Sequence, residues 1–222
     1  MATTKRVKTA KNVMDDSHII ILYMNDVLEK NKEPNNVFSF CKNNAIDESD
    51  FYSFFGSFEA VKQAIWVKFF ENTKVTIEKE AAFETYSDKN KLLTLYFTLF
   101  ELLTLNRSYV LFSLLENKEG IKNLKNLKKF RNHFKTFVVT IIESNSSAKN
   151  DKVAKVTKPV FAEGAWLQFL FLLKFWMDDS SKGFEKTDIL IEKSVNTVVD
   201  LLDTKPLESL FDLGKFLWKE KM

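Results

Sequence analysis

The stretch Asn43-Asn44-Ala45-Ile46-Asp47-Glu48-Ser49-Asp50-Phe51-Tyr52-Ser53-Phe54-Phe55-Gly56-Ser57-Phe58-Glu59-Ala60-Val61 decides the fold. Asn44, Ala45 and Ile46 make a tight turn. A short helix then runs from Asp47 to Phe54. Gly56 breaks it, and Ser57 caps the next helix, which passes through Ala60, Ile65 and Phe69 to about Thr73. Upstream, a short helix from Asn36 to Asn43 carries Val37, Phe38 and Cys41 on one side. Before it, the spacing of Ile20, Met24, Val27 and Leu28 predicts a helix from Ser17 to Asn31, with Ser17 as N-cap and Pro34 as its stop. Three helices with a tight turn between the second and third form a helix-turn-helix pattern.

The rest of the chain also reads as helical. Only 5 Gly and 3 Pro occur among 222 residues, too few for a sheet joined by tight turns, whereas Phe occurs 22 times. Residues Asp88 to Asn106 are apolar almost all round, with one polar stripe of Thr94, Thr98, Glu101 and Thr104, which marks a central helix. A short helix spans Tyr109 to Leu115. A long one from Lys118 to Glu143 turns Leu124, Leu127, Phe134, Val138 and Ile141 inward. Ser144 to Lys158 reads as a polar loop. Phe161 to Asp178 has one apolar face of Trp166, Phe169, Leu170, Leu173, Trp176 and Met177, and a second of Leu167, Phe171 and Phe175. Two apolar faces need two partners, the core and a second subunit. Thr187 to Asp203 repeats the pattern with Ile191, Val195, Val198 and Leu202. Pro206 opens a last amphipathic helix with Leu207, Leu210, Phe211, Leu217 and Trp218.

The Asn43 to Val61 stretch resembles the signature of the TetR family of repressors, through Tyr52, Phe54, Phe55, Ser57 and Glu59. The resemblance implies an all-α fold: a basic tail at 1–14, a helix-turn-helix domain at 15–74, and a helical ligand-binding and dimerisation domain at 75–222. It implies a homodimer built on Leu167, Phe171, Phe175, Ile191, Val195 and Val198 as a four-helix bundle. It implies a transcriptional regulator whose residues nearest DNA are Lys42, Ser49, Tyr52 and Ser53, with Lys5 and Arg6 reaching in from the tail. A hydrophobic small ligand would meet Thr94, Tyr96, Thr98, Phe100, Glu101, Trp166 and Phe169; the stripe of Thr94, Thr98, Glu101 and Thr104 reads equally as the one solvent-facing edge of that helix. One departure bears on DNA. From Glu33 to Val61 there are five acids (Glu33, Asp47, Glu48, Asp50 and Glu59) and one base (Lys42), and Phe58 stands where the family has a lysine. Asp47, Glu48 and Asp50 at the start of the recognition helix weaken attraction to phosphates.

Met177 to Asp188 resembles a segment of the TetR-fold lipid-binding accessory family of ubiquinone biosynthesis, through Asp179, Ser180, Ser181, Phe184, Glu185 and Thr187. That resemblance implies an alternative: a lipid- or isoprenoid-binding protein with a vestigial helix-turn-helix and peripheral membrane contact through the C-terminal helix. The residues alone support a plainer reading, an Asp-Ser-Ser loop with Thr187 as an N-cap.

Other function classes find little support. The net charge of +3 implies no nucleic-acid partner by itself. The basic run Lys122, Lys125, Lys128, Lys129, Arg131 and Lys135 is readable as a solvated face or as a contact for anionic lipid or nucleic acid. His18 and His133 have no metal-ligand partner at helical spacing, and no nucleophile elbow or phosphate loop occurs, so neither an enzyme, a metal site nor a cofactor is expected. Cys41 alone forms no internal disulfide, no secretory signal is evident, and Glu163, Gln168 and Lys174 interrupt the most apolar stretch; these point to a cytoplasmic protein.

Overall fold

A computed structural model describes residues 14–115, 124–143 and 151–202. Among these residues every regular element is helical: α1 Asp16–Lys30, α2 Val37–Asn43, α3 Glu48–Phe54, α4 Phe58–Glu78, α5 Asp88–Leu105, α6 Arg107–Leu115, α7 Lys128–Glu143, α8 Asp151–Asp178 and α9 Glu185–Leu202. The tail at 1–13, residues 118–123 and the helix expected after Pro206 lie outside the described residues.

Short polar side chains start several helices. The Asp15 carboxylate accepts the His18 N–H at 2.7 Å, so Asp15, not Ser17, caps α1: it reaches the free donor three residues on. Asn36 caps α2 by accepting the Ser39 N–H at 2.8 Å, and Ser87 caps α5. The Ser57 hydroxyl accepts the Ala60 N–H at 3.3 Å at the start of α4. That helix continues past Thr73 to Glu78, and the fully buried Thr73 hydroxyl is satisfied by donating to the Phe69 carbonyl at 2.8 Å. Leu124 lies in a 3-10 turn and is exposed, against expectation, while Leu127, Phe134, Val138 and Ile141 are buried. Residues 151–158 are helix rather than loop, and Pro159 sits inside α8. Polarity alone does not stop a helix, and Lys and Ala favour one.

The chain divides into two compact units, Met1–Ile65 with Ser108–Asn126, and Trp66–Arg107 with Leu127–Met222. The division falls within α4, and the described residues 108–115 and 124–126 group with the N-terminal ones. The first unit is centred on Tyr23, Phe40, Phe51 and Phe58. Phe58 lies 5.4 Å from Tyr23, 5.5 Å from Phe40 and 5.6 Å from Phe51 between ring centres, mostly edge to face. The ammonium of Lys62, itself buried, pairs with Glu33, which also accepts from the Tyr23 hydroxyl at 3.3 Å. The second unit packs α8 against α7, and α9 against both α5 and α8. Phe130, Phe134, Trp166 and Phe169 interlock at its centre, with Phe130 and Phe169 5.1 Å apart.

Candidate functional site

The turn between α2 and α3 is tight because Ala45 adopts a left-handed backbone, φ 53°, while the Ile46 N–H donates to the Cys41 carbonyl at 3.1 Å. A left-handed alanine costs about 1 kcal/mol, and the packing on either side holds it. Phe40 of α2 meets Phe51 of α3 edge to face, at 6.0 Å between ring centres. With Phe51 buried, Ser49, Tyr52 and Ser53 point outward together, and Lys42 is exposed on α2. Glu48 and Asp50 flank that neutral face, and Asp47 sits at the N-cap position. Acids suit a helix N-terminus, where the dipole is positive. Their collective field reaches Cys41: burial pushes the thiol pKa up, and Glu48, Asp47 and Asp50 push it further. Lys5 and Arg6 lie outside the described residues.

The residues expected to line a ligand pocket separate. Leu92, Leu95, Tyr96, Leu99, Phe100 and Leu103 form the buried face of α5, which places Thr94, Thr98 and Glu101 on the opposite side. Glu101 is exposed, and the Thr94 hydroxyl donates to its own helix at Asn90. Glu101 thus stands away from the buried face of α5. The outer face also exposes Phe97 and Leu105, so α5 is not enclosed all round. Tyr96, Phe100, Trp166 and Phe169 are core aromatics. The Tyr96 hydroxyl donates to the Ala165 carbonyl at 2.7 Å, and burial holds its pKa well above the ordinary tyrosine value. Phe100 and Phe169 are 5.9 Å apart. A cavity described in the structure lies elsewhere, within the first unit, between the end of α1 and α6.

The residues expected at a subunit interface also separate. On α8, Ala162, Ala165, Trp166, Phe169, Leu172, Leu173 and Trp176 are buried, and the opposite side exposes Val160, Leu167, Phe171 and Phe175. Leu167 is 59% exposed and Phe171 55%. Gly164 lies on the same stripe, and a Cβ there would meet nothing within 4 Å. On α9, however, Ile191 and Val195 are fully buried within this chain, and Val198 is half-buried. Ile191 and Val195 are therefore part of the chain's own core, while Ile189 of the same helix is 50% exposed. Residues Lys158–Asp178 are long and apolar enough to cross a membrane by composition, but their inner side is the core face just described.

The α8–α9 connection has an evident structural purpose. The Asp179 carboxylate accepts from the backbone and side chain of both Ser181 and Thr187, at 2.7 to 3.0 Å. Burial tends to raise its pKa, but these hydrogen bonds outweigh burial and hold it at about 2. Asp179, not Thr187, organises the start of α9, since that helix begins at Glu185. The Arg107 guanidinium donates to the carbonyls of Trp176 and Met177, each at 2.9 Å, closing the end of α8. It also lies 4.3 Å from the Trp176 ring centre and 4.6 Å from that of Phe184. Nothing in the motif reading singled out Arg107. One signal was available: the chain has three arginines against thirty lysines, and a planar fork is what two adjacent carbonyls require. Of the basic run, Arg131 and Lys135 are engaged by Glu163 of α8, whose pKa Lys135 and then Arg131 lower.

A family model described as "Tetracyclin repressor-like, C-terminal domain" matches residues 91–217. A comparison with curated proteins gives no match. The family match covers more than half of the chain and spans the helices that form its aromatic core, from α5 through α9. Together with the all-helical architecture and the α2–turn–α3 arrangement, it means that this chain belongs to the TetR-like family.

Proposed function

We propose that the chain is a ligand-responsive transcriptional regulator that acts as a homodimer and binds DNA through α2 and α3. The observation that carries this reading is the pairing of a TetR-like C-terminal domain with a helix-turn-helix whose second helix turns Ser49, Tyr52 and Ser53 outward. Lys42 stands on the same region and supplies a phosphate contact; Lys5 and Arg6 add others. The outer stripe of α8, with Leu167, Phe171 and Phe175, is the surface on which a second copy would pair. A hydrophobic ligand that binds one spacing of the two reading helices better than another shifts DNA affinity. The test is selection from sheared genomic DNA of the source organism by ligand-stripped protein, at about 0.15 M salt, where weak electrostatic contacts are screened. Enrichment of one palindromic site is expected. A folded dimer that enriches none overturns the reading.

A second reading is favoured by Asp47, Glu48 and Asp50, which flank the reading face with negative charge. In it the chain is a lipid- or isoprenoid-binding accessory protein that does not bind DNA. It predicts a lipid recovered by solvent extraction and liposome binding that is lost when residues 206–222 are removed. The Asp179 to Thr187 segment lends it little weight, because the local hydrogen bonds account for those residues.

A further inference from the structure

Within the first unit, the last turn of α1 and one face of α6 flank an open groove of about 710 Å³ with mixed polar and apolar lining. Ligand sites are commonly ~300–1,000 Å³, apolar, and fitted with few polar groups. The walls here are Leu28, Leu111, Phe112 and Leu115. On α6, residues 108, 111, 112 and 115 share one helical face. Leu115 is 62% exposed and Leu28 41%, a hydrocarbon surface left open to water. The charges at this site are unequal. Glu33 is already neutralised by Lys62 and accepts from Tyr23. Lys32 has no hydrogen bond or ion pair among the described residues, whereas Glu33 shares Lys62 with Glu59, so Lys32 is the lining cation without a partner of its own beside the apolar walls. Asn31 and Ser108 add neutral hydrogen-bonding groups.

We propose that this groove binds an anionic amphiphile of the fatty-acid class, with the chain against Leu28, Leu111, Phe112 and Leu115 and the carboxylate drawn to Lys32. The site is separate from the buried aromatics Tyr96, Phe100, Trp166 and Phe169, and the proposal stands whether or not the protein binds DNA. A neutral amphiphile would leave Lys32 unanswered, and a cationic one would be repelled by it.

The test is calorimetric titration of the full chain with dodecanoate below its micelle concentration, with dodecyltrimethylammonium alongside. Dodecanoate should bind one to one and the cation more weakly. Lys32→Glu should weaken dodecanoate by about two- to fivefold, the scale of one exposed charge pair. Leu115→Asp, at an already exposed position, should weaken it further, while Lys79→Glu, an exposed lysine elsewhere, should leave it unchanged. Absence of binding to the wild type overturns the proposal. So does Lys32→Glu or Leu115→Asp binding at wild-type strength, which would place the amphiphile elsewhere, or equal loss in all three variants, which would mean a non-specific surface charge effect.

Discussion

α5 and α8 both read as helices with apolar residues on nearly every side, yet they are used differently. α5 buries one face and leaves Thr94, Thr98, Glu101, Phe97 and Leu105 on the other, a mixed edge that water tolerates. α8 buries an equally large face, but its far side is a run of Val160, Gly164, Leu167, Phe171 and Phe175 with few polar breaks. Isolated exposed apolar residues are ordinary on a surface, whereas a contiguous stripe calls for a partner. Hydrophobic content therefore does not distinguish a helix finished by its own fold from one that is not. The arrangement of residues on the outer face does.

The sharpest test of this contrast is to injure the two faces of α8 separately. Phe169 is fully buried and touches Phe100, Phe130, Phe134 and Trp166. Phe169→Ala should cost about 3–5 kcal/mol in denaturant unfolding, because a buried aromatic leaves a cavity as well as losing its transfer energy. A loss below about 1 kcal/mol would mean that the inner face is not the core it is described as.

The contrast also depends on α9 remaining on the inner side of α8, which Asp179 and Arg107 secure. Asp179→Asn should cost roughly 1–2 kcal/mol, the range for a helix-start acceptor. The pH dependence follows from the depressed pKa. The folded form holds Asp179 ionised down to about 2, against 3.8 for an unperturbed aspartate. Its contribution is therefore complete above about pH 4 and lost as the pH falls toward 2. An acid-unfolding series should show a shallower fall for Asp179→Asn than for the wild type over that window. Parallel curves would mean that the carboxylate is not the element that organises the start of α9.

Much of this was legible in the sequence, and its failures have physical causes. The period of 3.6 separated the two faces of α8, because Leu167, Phe171 and Phe175 recur at helical spacing opposite Phe169 and Trp176. The turn at Asn44 to Ile46 and the outward set Ser49, Tyr52 and Ser53 were also readable, since Phe51 fixes the inward direction of α3. Periodicity shows that a face is apolar but not what covers it. Ile191 and Val195 thus read as interface residues, although α5 and α8 of the same chain cover them. Glu101 and Thr94 read equally well as pocket groups or as an edge, because the side a polar stripe faces is settled by its neighbours. Arg107 binds carbonyls about seventy residues away in sequence, and no local pattern carries such a pairing.

The outer faces provide the smallest effects on folding and the clearest separation of roles. Phe171→Asp should change the unfolding free energy of the monomer by no more than about 0.5 kcal/mol, as is usual for exposed positions. In sedimentation velocity the same variant should shift the proposed dimer to monomer, because a carboxylate in the middle of an apolar stripe would be desolvated without a partner. Glu101→Ala on the outer face of α5 should alter neither stability nor assembly, again within about 0.5 kcal/mol. If Glu101→Ala dissociated the dimer and Phe171→Asp did not, the two helices would have exchanged roles. The partner surface would then lie on the mixed polar edge of α5, and the bare stripe of α8 would need another occupant.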